Sequence, residues 1–253
     1  MLLGQKGQSR VAFPEGVHYV TFLVSDGDNV AFNLWAMQDY FSHELHGQFP
    51  LGYTISPSLY DLAPAVMRWY FDHAAAGDYF VAGPSGSGYV FPSKMPADKL
   101  DAYLSRLDAY LALSGLNFCN ILDQGIMDNP QVYEKYLAQP HIDAVFYTGY
   151  GEKGEGRIRF ADNGKPIIEQ RSVLWKGIDG GTDRGEERSV IEQINSRPAN
   201  PHTAEGYTFV FVHCWTKDQA AVKRVIDGLN ENVRVVPPDV FVQLVRQNLS
   251  PRQ

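Results

Sequence analysis

The stretch Ser25-Asp26-Gly27-Asp28-Asn29 sets two carboxylates and an amide around one glycine, directly after the apolar run YVTFLVS. Paired acids in unlike surroundings divide into a proton donor and a charged partner, and the same oxygens suit a hard cation such as calcium or magnesium. A turn explains only part of this pattern, because a single Asx cap satisfies the start of a helix beginning near Val30. Asp26 and Asp28 are therefore both catalytic candidates. Asp123, which ends the run NFCNILD, and His213, near the end of YTFVFVHCW, are further groups able to give, take or hold a proton. Asp123 joins the catalytic set as the acid/base partner of Asp26 or Asp28, and His213 and Asn29 are expected to bind or orient a substrate. Tyr89, Tyr147, Trp175 and Trp215, with Tyr150 nearby, offer flat apolar faces with polar edges that suit sugar rings. Each of these groups also has a plainer use, as a cap, a satisfied polar group or packing.

These side chains come from distant segments, so a scaffold must gather them. Short β-rich runs alternate with longer amphipathic segments: 19–25, 51–56, 79–83, 117–123, 144–149, 172–175, 207–215 and 233–236. Most are continuously apolar, as strands buried on both faces are in parallel sheets. Between them, Leu100, Tyr103, Leu104, Leu107, Tyr110 and Leu111 recur at helical spacing between Pro96 and Gly115. Thr216 and Gln219 form a capping-box pair before another helix, and Pro237-Pro238-Asp239 opens the last. All are expected to be crossover helices. Eight strand-helix units in 253 residues match an α/β fold of the (β/α)8-barrel type, regular or irregular, formed as a single domain over 1–253. A doubly wound open sheet is the competitor. The segment from Gly149 to Gln170, with Asn163-Gly164 at its turn, predicts a β-hairpin insertion after the fifth strand. In either architecture the site forms where strands end and βα loops begin, which is where the candidates fall.

Other chemistries find less support. With a net charge of -7 and no basic cluster, the chain lacks the electrostatic footprint of a nucleic-acid partner. No apolar stretch approaches membrane-spanning length, so no membrane partner is expected. Cys119 and Cys214 lie in strand-like runs and are expected to be buried free thiols. His43-Glu44-Leu45-His46 places its histidines three apart rather than the four a zincin helix requires, and is expected on the surface. Ser56 and Ser58 lack the glycine-flanked elbow of an α/β-hydrolase nucleophile. No cofactor or bound metal is called for. Localisation and oligomeric state are left open.

The glycine cluster GPSGSGYVFP also fails as a phosphate cradle. A P-loop needs Lys-Ser or Lys-Thr after its glycines, whereas Tyr89, Phe91 and Pro92 fill that space. Gly86-Ser87-Gly88-Tyr89-Val90-Phe91-Pro92 instead resembles the signature of the GxGYxYP family, named for glycoside hydrolysis, with Phe91 where the pattern has its second tyrosine. SDGDN and the closing segment VVPPDVFVQLVRQ are similar to the C-terminal domain of that family. The resemblance implies a β/α-barrel acting on an oligo- or polysaccharide as a glycoside hydrolase, with Phe91 stacking or packing rather than reacting. Two carboxyl groups about 5 Å apart would retain anomeric configuration, and a wider pair would invert it. Two alternatives remain. Polysaccharide deacetylases also end their first strand in paired aspartates, but they carry a His-x-x-x-His metal motif that this sequence lacks. The other is a non-catalytic carbohydrate-binding domain.

Overall fold

The computed structural model describes residues 15–25, 30–150, 153–178 and 183–250. Ten strands form one mixed sheet: β1 (His18–Ser25), β2 (Leu51–Ile55), β3 (Asp78–Ala82), β4 (Phe118–Asp123), β5 (Ala144–Gly149), β6 (Ile158–Phe160), β7 (Pro166–Glu169), β8 (Ser172–Leu174), β9 (Tyr207–His213) and β10 (Val233–Val235). The order is β6-β7-β5-β4-β3-β2-β1-β9-β8, with β10 beside β1. Every pairing is parallel except β6 with β7. The helices are α1 (Val30–Leu34), α2 (Met37–Ser42), α3 (Leu59–Leu62), α4 (Pro64–His73), α5 (Ala97–Ser114), α6 (Pro130–Leu137), α7 (Glu187–Asn195), α8 (Gln219–Asp227) and α9 (Pro238–Leu249).

The two sheet faces bury separate cores, and strand alternation assigns each residue to one of them. Val20, Phe22, Val24, Tyr53, Cys119, Ile121, Tyr147 and Val212 pack with helical residues such as Phe32, Leu104 and Val222 on the outer face. Tyr19, Leu23, Val81, Phe118, Phe146, Val173, Phe209 and Phe211 pack on the inner face with Val240, Phe241, Leu244 and Val245 of α9. With both faces covered, the strands read as continuous apolar runs. Both cysteines are free and buried. Among the described residues no helix is long and apolar enough to cross a membrane.

All the expected strands form, but not as a regular eightfold barrel. The expected hairpin exists, with Ala161 N–H bonded to Lys165 O across its turn, yet its second arm is a strand of the sheet rather than an insertion. β7 pairs with β5, and β8 follows after only Gln170 and Arg171 to pair with β9. Gln170 N–H donates to Tyr147 O and Arg171 N–H to Phe209 O, so the run 166–174 is one extended segment linking the two sides of a curled sheet. No helix intervenes, which breaks the repeat. β10 contributes three residues beside His18, Tyr19 and Val20, because β2 takes the same edge of β1 from Leu23 onward. The last helix is likewise no crossover. Its apolar face fills the inside of the curl at the N-terminal ends of the strands, and Tyr207 there donates its hydroxyl to Leu244 O at 3.3 Å. Gly52 permits that approach, since a Cβ there would lie 2.7 Å from Pro238 Cγ. With α9 plugging one end, the C-terminal strand ends form the open mouth. Asp239, in the first turn of α9, belongs to the plugged end.

Candidate active site

Three inward-facing polar side chains hold the floor of the mouth together. Ser25, last in β1, donates its hydroxyl to Asn120 Oδ1 of β4 at 2.7 Å. Asn120 Nδ2 in turn donates to Phe146 O and to Thr148 Oγ1 of β5, each at 3.1 Å. All three side chains are buried, which makes this short network strong and rigid. Ser25 pairs in register with His213 of β9. Thr216, expected as a helix cap, instead places Oγ1 2.9 Å from His213 Nδ1 and accepts the Lys176 N–H at 3.3 Å. The cap of α8 is Asp218, whose carboxylate accepts from Ala221 N–H.

One wall of the mouth is aromatic. The Trp175 indole stacks on the His213 ring, with centroids 4.0 Å apart and planes 4° from parallel. Tyr150 lies 6.4 Å from Trp175, Phe91 lies 5.8 Å from Tyr150, and Tyr89 lies 6.4 Å from Phe91. These five rings make a continuous arc from β9 to the glycine cluster. Tyr89 and Tyr150 present 40% and 41% of their surface to solvent, so the arc is open to a ligand.

The glycine cluster holds its end of the arc by burying itself. Ser85, in the left-handed region at φ 58°, donates its backbone N–H to Asn120 O at 2.6 Å, and its hydroxyl bonds both N–H and O of Leu122. It thereby carries on the pairing of β3 with β4, which is otherwise short. Ser85 O meets the Tyr103 hydroxyl at 2.9 Å and the Tyr136 hydroxyl at 3.0 Å, and Gly88 N–H donates to Tyr103 at 3.1 Å. Gly86, at φ 114°, lies so close to α5 that a Cβ would fall 2.6 Å from Leu107 Cδ2. Around Gly88 the same construction meets nothing within 4 Å. The two glycines of the signature therefore differ in purpose, and only Gly86 is required by packing.

Asp123 is not an open acid. Its carboxylate is fully buried and accepts Ser93 N–H at 2.6 Å, the Ser93 hydroxyl at 2.7 Å and Gln124 N–H at 2.7 Å. Strand alternation explains this. Asn120 faces the mouth, so Asp123 faces outward, beneath the 3-10 turn Pro92–Lys94 that follows the glycine cluster. Asp123 anchors the loop carrying Tyr89 and Phe91. Tyr147 is corrected on the same ground: it is fully buried in the outer core, its hydroxyl 3.4 Å from Asp123 O, and it cannot stack on a ligand. Trp215 is exposed but lies outside the arc, edge-on to Phe32. His213, Trp175 and Tyr89 stand at the mouth as expected. Asp26, Asp28 and Asn29 lie outside the described residues.

Asn120 and Ser93 were not singled out from the sequence, although the parity of Asn120 with Phe118 inside NFCNILD was available. His46 was expected on the surface. It pairs instead with the buried Asp78 at 2.8 Å, and burial pushes the Asp78 carboxyl up. Ser56 and Ser58 bond one another at 2.7 Å, and both are buried.

Together these elements define a curled α/β sheet with an open mouth at its C-terminal strand ends. The same fold is found in a protein described as a putative polysaccharide deacetylase from Mycobacterium smegmatis, with TM-score 0.55 and 15% identity over 98% of this chain and 97% of that one. It is found too in a structure described as T48 deacetylase with substrate, with TM-score 0.50 and 12% identity over 93% of this chain and 94% of that one. The chain belongs to the family described as "GxGYxYP putative glycoside hydrolase C-terminal domain", whose model matches residues 16–246. A crystal structure described as a putative hydrolase from Bacteroides thetaiotaomicron is 72% identical with TM-score 0.96, covering 99% of this chain. This chain spans 49% of that protein's length. No curated protein matches it.

Proposed function

We propose that the mouth is the active site of a glycan hydrolase that cleaves glycosidic bonds. The observation that carries this reading is the arc Tyr89, Phe91, Tyr150, Trp175 and His213. Flat rings lining an open wall suit the apolar faces of pyranose rings, and hydroxyl, amide and imidazole groups suit their polar edges. The chemistry is assigned to Asp26 and Asp28, which follow Ser25 directly in sequence. One carboxylic acid would protonate the leaving glycosidic oxygen, and the other carboxylate would attack the anomeric carbon or activate water against it. His213, braced by Thr216 and stacked on Trp175, would orient the sugar beside them. Asp123 takes a positioning role in this reading, since its acceptor sites already serve Ser93 and Gln124.

A second reading, removal of acetyl groups from a polysaccharide, draws on the fold shared with the deacetylases and on the paired acids after β1. The His-x-x-x-His metal motif of such enzymes has no counterpart in this sequence. None of the seven histidines is followed by another four residues on, β2 leads into Ser56-Pro57-Ser58, and β3 leads into Gly83-Pro84-Ser85. Incubation with a panel of acetylated and unacetylated oligosaccharides, followed by mass analysis, separates the readings. New reducing ends support glycosidic cleavage. Released acetate with an intact chain would replace it with deacetylation, and unchanged but tightly bound glycan with a binding domain.

A further inference from the structure

Outside the arc, the rim carries two large apolar side chains that the site described above does not use. Trp35, directly after α1, is 69% exposed, and Trp215, just past β9, is 40% exposed. A single exposed indole needs no explanation, but these two are neighbours, with centroids 6.4 Å apart and planes inclined by 50°. Their attitude is set from below. Buried Phe32 meets the Trp215 ring edge-on at 5.8 Å. Beside Trp215 opens a cleft of about 520 Å³ whose lining includes Ala36, Asp39, Lys217 and Asp218. Its charges are of both signs, and Lys217 is satisfied by Glu186 at 2.6 Å and Glu187 at 2.9 Å. A cleft with no dominant sign, rich in hydrogen-bonding groups and walled by indole, matches a neutral polyhydroxyl ligand better than an ionic one. Trp215 and Thr216 lie two and three residues after His213, and Thr216 Oγ1 is 2.9 Å from His213 Nδ1, so the pair adjoins the His213 end of the arc.

We propose that Trp35 and Trp215 form an outlying sugar-binding subsite, and that the substrate is a neutral glycan chain long enough to reach from the arc to this pair. The inference rests on the glycan reading of the mouth. The test is calorimetric binding of neutral gluco-, manno-, xylo- and N-acetylglucosamine oligomers, as dimers and as hexamers, to the wild-type chain and to Trp35→Ala and Leu113→Ala. Leu113 is an exposed apolar residue of α5 and serves as the control. The expected result is that hexamers bind more tightly than dimers, that Trp35→Ala weakens hexamer binding about tenfold and removes that advantage, and that Leu113→Ala changes nothing. Hexamer binding unaffected by Trp35→Ala overturns the subsite and leaves the mouth standing. Absence of binding to every oligomer overturns the glycan reading and the subsite with it. If the pair instead joins two copies of the chain, Trp35→Ala converts a dimer to a monomer with hexamer affinity intact, and that result also overturns the proposal.

Discussion

Replacing Asp123 by asparagine separates anchoring from chemistry. The substitution keeps shape and volume but removes the charge and exchanges one acceptor oxygen for an NH2 group. Two of the three donors, the Ser93 hydroxyl and Gln124 N–H, converge on Oδ1, so the remaining oxygen keeps them. Ser93 N–H then faces the new amide, donor against donor, where it had a 2.6 Å bond to carboxylate. The position is fully buried, so no bulk water replaces the lost partner. One charge-assisted hydrogen bond lost and one buried donor left unpaired cost about 2–3 kcal/mol. In a chain of this size that lowers Tm by roughly 5–10 °C. Calorimetric melting gives the stability change, and hydrolysis of a glycan that the wild type cleaves, measured below both transitions, gives kcat and KM. Loosening the loop of Tyr89 and Phe91 is expected to raise KM more than it lowers kcat. A double-mutant cycle with Ser93→Ala is expected to show coupling of about 0.5–3 kcal/mol. An Asp123→Asn protein with wild-type Tm and no turnover would refute this reasoning and return Asp123 to the acid pair.

Two further predictions concern the scaffold. His18 is buried, its Nδ1 3.2 Å from Pro198 O and its Nε2 2.9 Å from Thr208 Oγ1, and desolvation pulls its pKa down to about 4. The unfolded chain therefore binds this proton first as pH falls. The contribution of the buried neutral ring is whole above about pH 6.5 and declines by roughly 2–4 kcal/mol on descending to pH 4. Urea unfolding across this range is expected to show a shallower acid loss for His18→Gln than for wild type, and parallel curves would contradict the assignment. Gly86→Ala is expected to destabilise by about 1–3 kcal/mol through its left-handed backbone and its contact with Leu107, whereas Gly88→Ala stays within about 0.5 kcal/mol. Equal losses would mean that the two signature glycines act alike.

Strand positions were legible because parallel strands covered on both faces are apolar throughout, as YVTFLVS and YTFVFVHCW are. The same continuity concealed which face each residue occupies. Without visible alternation, Asp123 and Tyr147 looked like mouth residues, when parity with Ile121 and Val145 turns both outward. Asn120 looked like an interruption of a strand, yet it ties β1 to β5 across the floor. The run PIIEQRSVL hid a continuous segment, since Gln170 and Arg171 resemble a loop but carry on the hydrogen bonding to Tyr147 and Phe209. The plug helix was indistinguishable from a crossover helix, because burying one apolar face against either side of a sheet demands the same pattern. Trp175 and His213 were legible because they stand at strand ends on inward parity. Their stacking was not, since it depends on the register of β8 against β9.

The central claim is that the aromatic arc holds a glycan while Asp26 and Asp28 cleave it. The most direct measurement is single-turnover hydrolysis of a cleavable oligosaccharide by Asp26→Asn and Asp28→Asn, with binding of the same oligosaccharide measured alongside for both and for Trp175→Ala. Each Asp variant is expected to bind normally and to lose at least about a hundredfold in rate, the usual scale of general acid-base catalysis, while Trp175→Ala is expected to lose binding. Wild-type rates in both Asp variants would contradict the claim.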